Sequence, residues 1–256
     1  MSRLDIEQFI CRSDNYGVLI HDPASNCTAA IDAPDALAIE AALRRRGWTL
    51  DFIFTTHHHF DHVDGNLALK EKFGLTIIGP EAEKDKIPGI DRTVRDGDTF
   101  PFGQFMVNVI ATPGHTAGEV SFHIPDAKVV FTGDTLFALG CGRLFEGTPA
   151  MMLESLRRLA ALPGDTAVYC GHEYTEGNAR FALTIDPENA TLRERAREIA
   201  QLRANDRMTL PSTIALELAT NPFLRWHDRN IRDRLGLVGA ADEIVFAEIR
   251  KQKDIF

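Results

Sequence analysis

The chain has 256 residues, of which 44% are hydrophobic and 25% charged, and a formal net charge of −9. This is the composition of a globular protein of one large domain or two ordinary ones with ample core, and its acidic balance argues against a general nucleic-acid binder, whose phosphate contacts need a basic surface. No apolar run reaches the length of a membrane span and the N-terminus lacks the basic-then-apolar layout of a secretion signal, so a cytoplasmic protein, making no membrane contact, is expected.

In chain order, β-rich runs bounded by turn residues predict strands at GVLIHD (17–22) and CTAAID (27–32), and a helix follows at DALAIEAALRRRG (35–47). LDFIFTTH (50–57) reads as a strand, NLALKEKFG (66–74) as a helix closed by Gly74, and LTIIGP (75–80) as a strand. FMVNVIATPGH (105–115), VSFHIP (120–125) and KVVFTGD (128–134) are further strands with their exit loops. TPAMMLESLRRLAALPG (148–164) predicts a helix ending at Gly164, before a strand at TAVYCGH (166–172). From about Tyr174 the pattern becomes helical: NATLRERAREIAQLRAND, STIALELATNP (stopped before Pro222) and ADEIVFAEIRKQKDIF. The division expected is a mixed α/β sheet domain, 1–173, followed by a small all-α domain, 174–256.

The stretch TTHHHFDH (55–62) places four of the nine histidines, with an aspartate, in eight positions directly after an apolar run. His57 and His59 are two apart, so in extended backbone they project to one side while His58 points away; Asp61 and His62 follow at the turn. His115, Asp134 and His172 each close a similar apolar run. If those strand ends share one edge, the seven side chains converge there. Seven N/O donors exceed one tetrahedral ion but suit two ions sharing a carboxylate, and five imidazoles with two carboxylates suit zinc, iron or manganese better than calcium or magnesium. His21, His58, His123 and His227 read as ordinary surface or hydrogen-bonded histidines. Cys11, Cys27, Cys141 and Cys170 form no CxxC pair and read as reduced, mostly buried thiols.

TTHHHFDHVDGN, TPGHTAGEVSF, FTGDTLFALGCGRLFEGTP, GHEYTEGN, NPFLR and the terminal EIRKQKD together resemble the metallo-β-lactamase superfamily, with its HxHxDH signature, and within it the glyoxalase II (hydroxyacylglutathione hydrolase) family. The resemblance spans nearly the whole chain. It implies a four-layer αβ/βα sandwich with a small all-α C-terminal domain, and a metal-dependent thioester hydrolase that cleaves S-(2-hydroxyacyl)glutathione with a hydroxide held by two divalent ions, zinc foremost, in methylglyoxal degradation. It assigns His57, His59 and His115 to one ion, Asp61, His62 and His172 to the other, and Asp134 to both, with Asp61 also able to orient the nucleophile or accept its proton. Arg143, Tyr174, Arg250 and Lys253 are implied as glutathione contacts. Phe145 and Phe60 stand where the family often has tyrosine and tryptophan. A monomer acting on a small-molecule glutathione thioester is expected; the alternatives are a glutathione persulfide dioxygenase, or a lactonase or phosphodiesterase of the same fold. A non-catalytic protein braced by metal fits less well, since structural zinc sites are usually cysteine-rich.

Overall fold

The computed structural model describes residues 3–256. By spatial contact the chain forms two compact units, one running to Ala111 and including Gly118–Gly133, the other made of Thr112–Ala117 and Asp134–Phe256.

In the first unit the chain forms β1 (Asp5–Cys11), β2 (Asn15–Asp22), β3 (Cys27–Ile31), α1 (Ala36–Arg46), β4 (Phe52–Phe54), α2 (Phe60–Val63), α3 (Asn66–Phe73), β5 (Thr76–Pro80) and β6 (Arg92–Val94). The strands lie side by side in chain order. β1, β2 and β3 pair antiparallel, whereas β3 to β6 run parallel. Then come β7 (Thr99–Phe102), β8 (Phe105–Ala111), β9 (Val120–Ile124) and β10 (Val129–Phe131), paired antiparallel. The period of two in β4 explains the layering: Ile53 joins the core under α1 and α3, with Ile39, Leu43 and Leu69. Phe54 points the other way, its ring 5.1 Å from Phe100 and 5.6 Å from Phe122 on the second set of strands. α1 starts where Asp35 accepts the Ala38 N–H and ends at Gly47 in the left-handed region.

In the second unit the chain forms β11 (Leu136–Phe137), β12 (Gly140–Cys141), α4 (Pro149–Ala160), β13 (Ala167–Tyr169), α5 (Thr175–Ile185), α6 (Ala190–Ala204), β14 (Ser212–Thr213), α7 (Ile214–Thr220), α8 (Arg229–Leu235) and α9 (Asp242–Ile255). β11 pairs with β12 and β13 with β14, both antiparallel. The mixed α/β class and the helical C-terminal region are as the sequence predicts. Some boundaries differ. α3 ends at Gly74 as expected, but α4 stops at Ala160, short of Gly164, because Pro163 cannot continue a helix and turns the residue before it out of helical geometry. β1, β6, β7, β11, β12, β14, α5 and α8 are not in the sequence reading. No helix among the described residues is long and apolar enough to cross a membrane.

Candidate functional site

In the first unit the parallel register sets Ile31 opposite Phe54, so β3 and β4 deliver their carboxyl ends to one edge, where sites of parallel sheets form. Asp32 follows β3 in the left-handed region at φ 57, which aspartate tolerates better than most residues. In that pose its Oδ1 accepts the Thr56 N–H at 2.7 Å, and its Oδ2 accepts the Thr56 hydroxyl at 2.9 Å and His62 Nδ1 at 2.8 Å. The Thr56 hydroxyl, whose hydrogen is directed at Asp32, accepts from His57 Nδ1 at 3.0 Å. A carboxylate only accepts, so both imidazoles carry their proton on Nδ1 and present a lone pair at Nε2. Metal-ligating histidines are held in this way.

The neighbours of these rings are fixed as tightly. The His58 N–H and Nδ1 both lie 2.8 Å from Glu83 Oε2, while Glu83 Oε1 accepts the Gly118 N–H at 2.9 Å. His58 is thereby turned to the buried Glu83, and the His57 and His59 rings stay together with centroids 4.8 Å apart. Buried Asn15 donates from Nδ2 to both the main-chain oxygen and Oδ2 of Asp61, each at 3.1 Å. His62 Nε2 stands 3.7 Å from Asp61 Oδ2. Gly133, at φ 48, packs so closely that a Cβ would fall 2.5 Å from Glu119 Oε1 and 2.7 Å from Thr56 Oγ1.

In the second unit His115, Asp134 and His172 are all buried. His115 Nδ1 donates to the Arg143 carbonyl at 2.8 Å, which again leaves the lone pair at Nε2. His115 Nε2 and His172 Nε2 stand 3.5 and 3.3 Å from Asp134 Oδ2. Two donors each ~2.0–2.2 Å from one tetrahedral ion are about 3.4 Å apart. The separations within each unit therefore suit ligands gathered around a cation, and exceed the ~2.7–3.2 Å of a good hydrogen bond. Donor types, tautomers and spacing all fit a metal site.

Three of the four basic or aromatic residues singled out in the sequence gather in this unit. Arg250 is buried, its Nη1 2.9 Å from the Cys141 carbonyl and its Nη2 3.0 Å from Asp254. Arg143 Nε lies 4.0 Å from the same Asp254. Half-buried Lys253 donates to the Gly177 carbonyl at 3.3 Å and lies over the Phe181 ring. Burial first, then the guanidiniums of Arg250, Arg180 and Arg143, push the Lys253 ammonium down to about 8. Tyr174 stacks on His172, centroids 4.6 Å apart and planes 2° from parallel. Phe145 is exposed, with its ring 5.2 Å from that of His115, and Phe60 is exposed beneath the Arg12 guanidinium.

The histidines set aside in the sequence have ordinary places. His21 is bonded to Thr28 and stacked on Trp48, His123 is buried, with its pKa lowered by that burial, and His227 packs edge-on to Trp226. The cysteines are free thiols, and burial foremost raises Cys11 to about 12 and Cys27 and Cys141 to about 11. Sequence reasoning missed Asp32, Asn15 and Glu83, which hold side chains of the 57–62 loop without belonging to it.

Residues 9–172 match the profile of the metallo-β-lactamase superfamily, and residues 173–256 that of the hydroxyacylglutathione hydrolase C-terminus. The chain is 79% identical over 254 residues to the hydroxyacylglutathione hydrolase of Brucella ovis, covering 99% of each. Among solved structures, ETHE1 from Myxococcus xanthus superposes with a TM-score of 0.69 at 29% identity, over 96% of this chain and 90% of that one. TTHA1623, solved in a di-iron-bound form, gives a TM-score of 0.63 at 25% identity, over 84% of this chain and 98% of that one. With the two profiles together spanning residues 9–256 and the 79% identity covering 99% of both chains, the chain belongs to the hydroxyacylglutathione hydrolase (glyoxalase II) family of the metallo-β-lactamase superfamily.

Proposed function

We propose that the protein hydrolyses S-(2-hydroxyacyl)glutathione, S-D-lactoylglutathione foremost, to glutathione and a 2-hydroxy acid, D-lactate, the second step of methylglyoxal detoxification. The observation that carries this reading is the 79% identity over an alignment that covers 99% of both chains. It favours a thioester hydrolase over the dioxygenase and the lactonase or phosphodiesterase. In this reading His57, His59 and His115 hold one ion, Asp61, His62 and His172 the other, and Asp134 both, with zinc the metal and iron or manganese the alternatives. The boundary between catalytic and helical substrate-binding domains falls at 173/174, and the protein works as a cytoplasmic monomer.

When bound, divalent metal supplies water whose pKa is lowered from ~15.7 toward ~7, and positive charge for the oxyanion of the thioester carbonyl. The chain's own residues do the rest. Asp32 and Thr56 keep the Nε2 lone pairs of His57 and His62 available, and the Arg143 carbonyl does the same for His115. Asp61, its carboxylate fixed by Asn15, accepts the proton that the attacking water sheds. Tyr174, Arg143, Arg250 and Lys253 bind the glutathione moiety, whose two carboxylates suit the guanidiniums and the ammonium.

Purified protein is expected to hydrolyse S-lactoylglutathione and to carry up to two transition ions per chain on the same sample. Less than one ion per chain, with chelators leaving turnover untouched, overturns the reading. A second outcome concerns pH. Lys253 loses its proton as pH rises through about 8, so its charge is present at pH 7 and gone by pH 9.5. KM for a glutathione thioester should therefore rise above pH 8, while in Lys253→Met it should be high and flat across the same range. A wild-type KM that does not change between pH 7 and 9.5 takes Lys253 out of substrate binding.

A further inference from the structure

Within the second unit, β11 and β12 form a hairpin of two-residue strands, too short to hold together by their own ladder. Its turn is Ala138–Leu139, and Leu139 adopts φ 58, a left-handed conformation that costs a branched residue about 1–2 kcal/mol. Side chains from the helical part of the chain hold it residue by residue. Asn221 Nδ2 lies 3.2 Å from the Phe137 carbonyl and 3.0 Å from that of Gly140. Asn178 Nδ2, on α5, donates to the Ala138 carbonyl at 3.1 Å. Glu217 Oε2, on α7, accepts the Leu139 N–H at 2.8 Å and an Asn221 amide hydrogen at 3.0 Å, and Arg250 donates to Cys141. Each residue from Phe137 to Cys141 thus has a main-chain group gripped by a side chain from 178–250, and the Leu139 side chain is buried among Ala179, Ala182, Leu192 and Ile199.

The grip contains a buried ion pair. Glu217 and Asn221 are fully buried, and Glu217 Oε1 accepts from Arg195 Nη2 at 2.5 Å and from the Ser212 hydroxyl. Burying such a pair costs desolvation that an apolar pair of the same volume avoids, so its value lies in the geometry it fixes. That geometry bears on the site. Asp134 lies two residues before the hairpin and Arg143 two after it, and the Gly142 N–H donates to the Thr135 carbonyl at 3.1 Å. The Phe137 ring packs edge-on against Tyr174 at 5.4 Å and His172 at 6.2 Å.

We infer that Glu217 and Asn221 are positioning residues, which hold the hairpin so that Asp134, Arg143 and Tyr174 meet the substrate in register. The inference rests on the site assignment proposed above. It also makes the helical region more than a glutathione-binding appendage, because that region completes a turn of the sequence segment that carries the chemistry.

The test compares full-length, metal-replete wild type with Asn221→Ala, Glu217→Gln and, as a milder change on another helix, Asn178→Ser. Amide hydrogen exchange over residues 136–143 should quicken by about tenfold in Asn221→Ala and Glu217→Gln, and less in Asn178→Ser, while peptides of β4 and α1 exchange as in wild type. KM for S-lactoylglutathione should rise by about tenfold, with a smaller fall in kcat. Variants that only melt at lower temperature, with hairpin exchange and KM unchanged, overturn the inference. So does faster hairpin exchange with KM and kcat both unchanged. If Asn221→Ala does not fold, Asn178→Ser and Glu217→Gln decide by the same criteria. Wild type inactive on S-lactoylglutathione would defeat the functional reading instead, and the exchange result would still say whether the grip exists.

Discussion

Asp134→Ala should abolish turnover and strip metal from the purified protein in the same step. Asp134 is the carboxylate facing His115 Nε2 at 3.5 Å and His172 Nε2 at 3.3 Å, and it is buried. Those imidazoles are neutral donors, so the aspartate is the member of this set that offsets a cation's charge. Alanine removes the negative charge beside the two ring nitrogens, in a place where low dielectric magnifies the difference. Metal per chain should fall to a small fraction of wild type, and kcat/KM on S-lactoylglutathione by more than about 10²–10³, the range known for removing one preorganised charge-stabilising group. Asp134→Asn keeps the shape and removes the charge, so it should lie between the two. His59→Ala should behave as Asp134→Ala does. Elemental analysis, kinetics and far-UV circular dichroism on one preparation separate loss of metal from loss of fold. An Asp134→Ala protein that keeps both its metal and its turnover takes Asp134 out of the site.

What the sequence made legible follows from the range of the interactions involved. The histidine-rich loop could be singled out because four imidazoles and a carboxylate in eight positions are unusual for an ordinary turn, and because the same residue types close three later apolar runs. Strand periodicity does not settle how the three rings sit, since the strand stops at Phe54 and the His59 ring lies 4.8 Å from His57 and 5.0 Å from His58, which Glu83 holds. Asp32 could not be read this way. It closes CTAAID as any turn residue might, and its role depends on Thr56 and His62, 24 and 30 residues on, which reach it only through the parallel pairing of β3 with β4. α5 went unseen because Gly177 and Asn178 weaken its local helix preference, and packing of Ala179 and Ala182 overrides it. The β11–β12 hairpin hid for the opposite reason. LFALGC lacks the Gly or Asn that a tight turn favours at its left-handed position, and side chains from far along the chain impose the turn instead.

Asp32→Asn tests that long-range layer with the least disturbance to the backbone, since asparagine accepts φ 57 as readily as aspartate whereas most residues would be strained there. The carboxylate at Asp32 receives three donors: the Thr56 N–H on one oxygen, and the Thr56 hydroxyl and His62 Nδ1 on the other. An amide offers one accepting atom and one donating group, so one side must fail. If the NH₂ faces the Thr56 N–H, two buried donors oppose each other, at a cost of about 1–3 kcal/mol. If it takes the other place, the Thr56 hydroxyl can rotate to accept, but His62 Nδ1 must then become an acceptor and its proton moves to Nε2. That tautomer has no lone pair where a metal ligand needs one. Either arrangement predicts metal affinity lower by about 10–100-fold, the effect of losing a partner that orients a ligating histidine. The chain should fold and stay only modestly less stable, and excess metal should restore much of the activity, which it cannot do for Asp134→Ala. Nitrogen NMR of the apo protein reads the cause directly: His62 should be protonated at Nδ1 in wild type and shifted toward the Nε2 tautomer in the variant. Wild-type metal affinity and an unchanged His62 tautomer in Asp32→Asn would mean that the ligand loop holds its own geometry.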